Sequence, residues 1–226
     1  RIGATDRPKV MFEVFGKPII GWGIEPLGQL KKEGVIDRII TVVGFFGNQI
    51  IDYLKDKSEF VWQKQQLGTG HAVKMAEKAL ADEQGYTIIV NGDHALYTKD
   101  SYQKVIDTAT RKKLTIGFGV VVSDRFESYG RVIRDEEGSV REIIEVPEAT
   151  EEQKKIKERS INLWIVDNEW LFGALSKIKK SAVKNEYYIV DIVKIAIDEG
   201  RKVETVVIED EDQALGVNTM EDKEET

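Results

Sequence analysis

The chain has 226 residues, 41% hydrophobic and 32% charged, with four prolines, no cysteine and a formal net charge of −7. That length suits one domain with a substantial core, no apolar run approaches the roughly 20 residues of a membrane helix, and the acidic balance disfavours nucleic acid as a partner. Without cysteine there is no disulfide, thiolate nucleophile or sulfur-rich metal site, which suits a reducing cytoplasm.

The chain opens on a polar loop, RIGATDRPK, in which Arg1, Arg7 and Lys9 cluster and Pro8 stiffens the approach to Lys9. Such a loop either serves a polyphosphate or is a solvated terminus. Residues 36–43 (IDRIITVV) read as a buried strand. A turn at 44–47 leads to a short helix, NQIIDYLK, and residues 60–64 form another strand. Residues 69–81 (TGHAVKMAEKALA) have helical spacing, with Ala72, Met75, Ala76, Ala79 and Leu80 on one face. Residues 86–90 (YTIIV) are a continuously apolar strand ending at Asn91-Gly92-Asp93, and 100–113 are the next helix.

A strand over 114–122 follows, and then the rhythm changes. Residues 130–146 (GRVIRDEEGSVREIIEV) alternate polar and apolar around a Glu-Glu-Gly turn, the pattern of a hairpin. The spacing predicts a charged helix or loop at 151–158 and a strand at 161–166. Helices follow at 168–179, capped by Asp167 or Asn168, and at 187–198, with a last strand at 203–208. The acidic end from Thr219 is expected to fray. Repeated β-α-β units imply a mostly parallel sheet covered on both faces, with the hairpin outside it walling a pocket. Ligands of such sheets bind beyond the C-terminal ends of the strands.

Asp93 therefore draws attention, at the C-terminal end of a central strand. A carboxylate there holds a divalent metal or a sugar hydroxyl, or else is a turn-forming residue. Gly92 lets a ligand approach the backbone. His94 is a second ligand or a neutral histidine, solvent-facing or hydrogen-bonded. Residues 63–71 (QKQQLGTGH) join a strand end to a helix start: Gly68 and Gly70 permit tight geometry, Thr69 can cap, and helix N-terminal amides favour anions. Gln63 carries a donor and an acceptor that match the edge of a pyrimidine. The same stretch also reads as a plain capped loop. Dinucleotide and Walker fingerprints are absent. Gly130 in Tyr129-Gly130-Arg131, Glu145, Asn162 and Asn218 are weak candidates singly. Most of the aromatics, Trp22, Trp62, Trp164, Trp170, Tyr187 and Tyr188, read as packing residues and not as a stacking platform.

In this order, RPKVMFEVFGKPII (7–20), QKQQLGTGHAV (63–73), NGD (91–93), YGRVIRDEEGSVREIIEVPEAT (129–150), INLWI (161–165), NEYYIVDIV (185–193) and GVN (216–218) resemble the sugar-1-phosphate nucleotidyltransferases. Within them the similarity is to the uridylyltransferase domain of bifunctional N-acetylglucosamine-1-phosphate uridylyltransferases. The resemblance implies one nucleotidyltransferase domain over 1–226, of Rossmann-like, glycosyltransferase-A type: an α/β fold with a mixed, mostly parallel sheet, flanking helices and an inserted hairpin. It implies that Gln63, Gly68 and Thr69 recognise uracil, with Gly92 beside the nucleotide. Asp93 and Asn218 would hold Mg2+, and Lys9 and Arg1 would neutralise phosphates. Gly130, Glu145 and Asn162 would contact the amino-sugar phosphate.

The implied reaction joins UTP and N-acetylglucosamine-1-phosphate into UDP-N-acetylglucosamine, releasing pyrophosphate. Its partners are these small molecules, with neither nucleic acid nor membrane, and a homo-oligomer is compatible. The alternatives are another pyrimidine nucleotide or sugar, such as dTTP and glucose-1-phosphate, or a non-catalytic regulatory homologue. Relatives open on a strand and a glycine-rich loop, of which Arg1-Ile2 is the trace here; the loop is expected to lie upstream or to be missing. Asn91 stands where relatives often have Tyr, His94-Ala95 where they have Val-Pro, and Val190 where they have Thr. The 226 residues contain no β-helix acetyltransferase segment, and the expectation is either a stand-alone enzyme or a fragment of a bifunctional one.

Overall fold

In the computed structural model, which describes residues 6–217, the alternating pattern forms two units, each assembled from discontinuous segments. One comprises residues 6–66, 91–102 and 212–217; the other comprises 67–90 and 103–211.

In the first unit a short antiparallel pair, β1 (Glu13–Val14) and β2 (Lys17–Pro18), turns through Phe15 and Gly16 at φ of 49° and 74°. Helix α1 (Ile19–Lys32) follows. The sequence reading contains no helix here, because Gly21, Gly23, Gly28 and an internal Pro26 depress helical propensity. Two of these glycines have a packing reason. A Cβ on Gly21 would collide with the Tyr53 hydroxyl, and one on Gly23 would lie 3.0 Å from the His94 carbonyl oxygen. β3 (Ile40–Val43) and β4 (Glu59–Trp62) pair in parallel, and α2 (Gly47–Leu54) lies between them in sequence. Ile20, Ile24, Ile39, Val43, Ile50 and Leu54 form the core. The strand expected from residue 36 begins only at Ile40, because β4 offers four residues to pair with. Trp62 is 43% exposed and so is not a core residue.

The second unit is built on a six-stranded sheet. It contains β5 (Tyr86–Val90), β6 (Ile116–Val122), β7 (Arg131–Arg134), β8 (Val140–Ile144), β9 (Glu158–Asp167) and β10 (Val203–Val207), in the order β10-β6-β9-β7-β8 with β5 also on β9. The expected α/β fold with a mixed sheet is present. Among the described residues parallel pairing is confined to β3–β4 and β10–β6, since β9 runs antiparallel to β5, β6 and β7. Along one edge of β9 lie β5, beside residues 163–167, and β7, beside Arg159. The hairpin thus extends the sheet instead of lying outside it. β5 pairs with β9 alone among the described residues, and is not central.

The helices of this unit are α3 (Thr69–Lys74), α4 (Glu77–Leu80), α6 (Glu151–Lys154), α7 (Asn168–Leu175) and α8 (Asp191–Asp198). Helix α5 (Lys99–Lys112) starts in the first unit. The helix expected over 69–81 breaks at Met75–Ala76, where Met75 N–H is shared between the carbonyls of His71 and Ala72. Asp167 caps α7 by accepting from Glu169 N–H at 3.1 Å. Phe118, Trp164, Val166, Leu171, Ile192, Val193 and Ala196 fill the core, and the Phe118 and Trp164 rings lie 5.2 Å apart. No described helix is long and apolar enough to cross a membrane.

Candidate functional site

In the first unit, Pro8 caps a 3₁₀ turn at Lys9–Met11, with an extended backbone that delivers Lys9 inward. Its ammonium donates to Oδ2 of Asp93 across 84 residues of sequence. Asp93 is buried, and its other carboxylate oxygen, Oδ1, has no hydrogen-bond partner among the described residues. Lys9 keeps 39% of its side chain in solvent. The Asp93 carbonyl accepts from Val217 N–H at 3.1 Å, and His94 bridges Gly216. The segment leading to position 218 is thereby tied to Asp93, while Asn218 itself and Arg1 lie outside the described residues.

His94 is not solvent-facing. It is 3% exposed, stacked 5.0 Å from Tyr97, and burial pulls its pKa below the usual histidine value. A neutral ring results. Gly92 leaves room: a Cβ there would meet Val10 and Ile20 only at 3.7 and 3.9 Å. Gln63 extends the end of β4, with its N–H on the Val43 carbonyl at 2.8 Å. Gln66, unremarked in the sequence reading, packs its amide nitrogen 2.8 Å from where a Gly44 Cβ would stand.

In the second unit the Gly68-Thr69-Gly70 loop meets the Tyr187-Tyr188-Ile189 stretch. Gly70 N–H donates to the Tyr187 carbonyl and Tyr187 N–H to the Leu67 carbonyl, both at 2.8 Å. A Cβ on Gly68, whose φ is +104°, would stand 2.6 Å from the Tyr187 carbonyl oxygen, so only glycine fits. Thr69 does not cap its own helix. Its hydroxyl accepts from Ile189 N–H at 3.0 Å, and Gly68 is the N-cap residue. These bonds also use one of the amides expected to be open to an anion.

Gly130 and Glu145 come together. A Cβ on Gly130 would lie 2.8 Å from Ile143 Cγ2 and 3.6 Å from Glu145 Oε1. Burial, with Asp191 and Glu148 nearby, pushes the Glu145 carboxyl up to about 7. Burial and Glu148 likewise push Asp191 up to about 6. Asp191 and Glu148 were not singled out from the sequence, where nothing but proximity in the fold marks them. Asn162 sits where β6 and β9 lose register between Phe118 and Val120, at φ of 59°. This is a bulge of the kind found beside functional sites. No recorded hydrogen bond joins Asn162 to Gly130 or Glu145.

Among the described residues no group of three or more His, Asp or Glu is placed to hold a metal. Asp93 still fits Mg2+ in one respect. Its buried, unengaged Oδ1 is a hard oxygen donor, and Mg2+ is commonly held by one or two carboxylates with substrate phosphates completing the shell.

The mixed α/β fold carries a lysine on a buried aspartate in one unit and, in the other, a loop that only glycine fits. The chain matches the nucleotidyl transferase family over residues 4–212, and it belongs to that family. It is 36% identical over 210 residues to the Bifunctional protein GlmU of Pediococcus pentosaceus, covering 93% of this chain and 44% of that protein. The Bifunctional protein GlmU of Streptococcus agalactiae serotype V is 35% identical over 214 residues, covering 95% and 46%. That of Lactococcus lactis subsp. cremoris is 34% identical over 211 residues, covering 93% and 45%. The chain spans less than half the length of these relatives.

Proposed function

We propose that the chain is a Mg2+-dependent uridylyltransferase that converts UTP and N-acetylglucosamine-1-phosphate into UDP-N-acetylglucosamine and pyrophosphate. The observation that carries this reading is the Lys9–Asp93 pair, in which the carboxylate is buried with one oxygen unengaged. A phosphate oxygen of the sugar-1-phosphate forms a bond to the α-phosphorus of UTP. The bond from that phosphorus to the β-phosphate bridging oxygen breaks, and pyrophosphate leaves with the electron pair. The nucleophile is already anionic, so no general base is needed, and alignment with charge neutralisation suffices.

The part-exposed Lys9 ammonium is proposed to turn from Asp93 toward a phosphate, with Arg1 as a second cation there. Asp93 and Asn218 would hold Mg2+, and the bound ion would supply Lewis-acid neutralisation of phosphate charge. Gln63 is proposed to read the base edge, Gly68, Thr69 and Gly92 to contact the nucleotide, and Gly130, Glu145 and Asn162 to contact the amino sugar.

The test is the Asp93→Asn variant, assayed for Mg2+-dependent pyrophosphate release against a panel of nucleoside triphosphates and sugar-1-phosphates. Turnover is expected to fall by about a hundredfold or more with the circular dichroism spectrum unchanged. Undiminished turnover overturns the metal role, and a preference for another sugar or base redirects the substrate assignment.

A further inference from the structure

Two guanidinium groups lie inside the second unit without a carboxylate partner. Arg131 opens β7 and is 2% exposed; Arg159, opposite it on β9, is 4% exposed. Among the described residues neither forms an ion pair. Like charges directly opposite on a sheet are unfavourable, and burying an unpaired cation is more so. Burial pulls both groups below the ordinary guanidinium pKa; Arg131 adds to the effect on Arg159, while Glu127 at both groups and Asp124 at Arg159 oppose it without forming an ion pair. An apolar pair of similar volume would be at least as stable. The arginines therefore call for a reason other than stability, and their hydrogen bonds supply one.

Arg131 donates to the carbonyls of Lys154 (Nε, 3.0 Å), Glu127 (Nη2, 3.0 Å) and Tyr129 (Nη1). Arg159 donates through Nε to the carbonyl of Arg125 at 3.4 Å, and its Nη1 has no partner. The carbonyls at 125, 127 and 129 are alternate positions of the loop that leads into Gly130. Main-chain bonds to the sheet hold the ends of this loop, from Ser123 N–H to the Lys157 carbonyl and from Ser160 N–H to the Gly130 carbonyl, both at 3.0 Å. Lys154 ends α6, which follows the turn after Glu145. One guanidinium thus ties the chain just before Gly130 to the end of α6, the helix that follows Glu145 and its turn.

We infer that Arg131, braced by Arg159, is a positioning residue that fixes Gly130 and Glu145 relative to one another. This rests on the reading of those two residues as sugar-phosphate contacts. A fork of five fixed donors can hold three carbonyls in one geometry, whereas the lysine ammonium is a compact point donor.

The test compares Arg131→Met, Arg131→Lys and Arg159→Met with the unaltered protein, using two readouts. The first is steady-state pyrophosphate release with UTP and N-acetylglucosamine-1-phosphate varied separately. The KM for the sugar phosphate is expected to rise by about tenfold to a hundredfold in Arg131→Met and less in Arg131→Lys, with the KM for UTP within about twofold. The second is hydrogen–deuterium exchange, which needs no turnover. Peptides covering 123–130 are expected to exchange faster in the variants, while those covering 203–207 are unchanged. Equal rises in both KM values, or unchanged exchange over 123–130 in a folded variant, overturn the proposal. Should the unaltered protein release no pyrophosphate, the substrate reading fails, and the exchange result alone decides whether Arg131 holds the loop. Should Arg131→Met not fold, Arg131→Lys carries both readouts.

Discussion

Burial and two neighbouring carboxylates set the behaviour of Glu145. Its carboxyl sits at about 7 against an ordinary 4.5, so the folded chain disfavours its ionised form. The sign follows: this residue's contribution to stability is intact below about 4.5 and is lost as pH rises towards 7. Urea midpoints measured at about pH 5 and about pH 8 are expected to fall with rising pH, and Glu145→Gln is expected to reduce that fall. Asp191, whose carboxyl is raised to about 6, adds to the fall, and His94, whose pKa burial lowers, opposes it. With Glu145 in its proposed role as a sugar contact, affinity for the sugar phosphate is expected to change as pH passes through about 7 in the unaltered protein and not in Glu145→Gln.

Two glycines separate packing from ligand roles. Gly130→Ala forces a methyl against Ile143 and is expected to cost about 1–3 kcal/mol in a denaturant titration. Gly92→Ala meets only ordinary contacts and is expected to stay within about 0.5 kcal/mol. It should instead raise the KM for nucleotide by about tenfold, since the added methyl intrudes where a ligand would lie. The place of Asp93 just past β5 was legible in the sequence, because the apolar run 86–90 ends where the strand does. Its pairing with Lys9 was not, because nothing local links residues so far apart. Asp191 beside Glu145 was invisible for the same reason.

At the scale of elements, legibility followed the cleanness of the local signal. The hairpin strands β7 and β8 alternate around Gly138, which takes φ of 83°, and were located within a residue or two. Strand β5, α5 and β10 were equally plain. Helix α1 was not, because its glycines serve close contacts with Tyr53 and His94 that only the fold reveals. β9 was seen as a strand but not as an antiparallel one, since burial on both faces gives the same apolar run in either direction. Its direction also explains why the hairpin joins the sheet: β9 outruns β5 and leaves Arg159 to pair with Arg131. The glycine loop at 67–70 and the Tyr187–Ile189 stretch were each recognisable. That they bond to one another was not.

On the scale of the whole molecule, composition excluded broad classes and little more. A net charge of −7 coexists with a buried arginine pair and with Lys9 at a buried carboxylate, so net charge says little about where cations stand. The bonds from Gly70 to Tyr187 and from Ile189 to Thr69 have a further consequence, for the order of folding. The latter joins residues 120 apart. Closing so long a loop loses chain entropy before any contact repays it, so non-local pairings of this kind form slowly. In pulse-labelling exchange during refolding, the Gly70 and Ile189 amides are expected to gain protection together and after those of α5; early protection of Gly70 would refute this. A chain still being synthesised would then carry its glycine loop unformed until residue 189 has emerged, and a chain cut short before that point would lack the backbone partners that shape the loop.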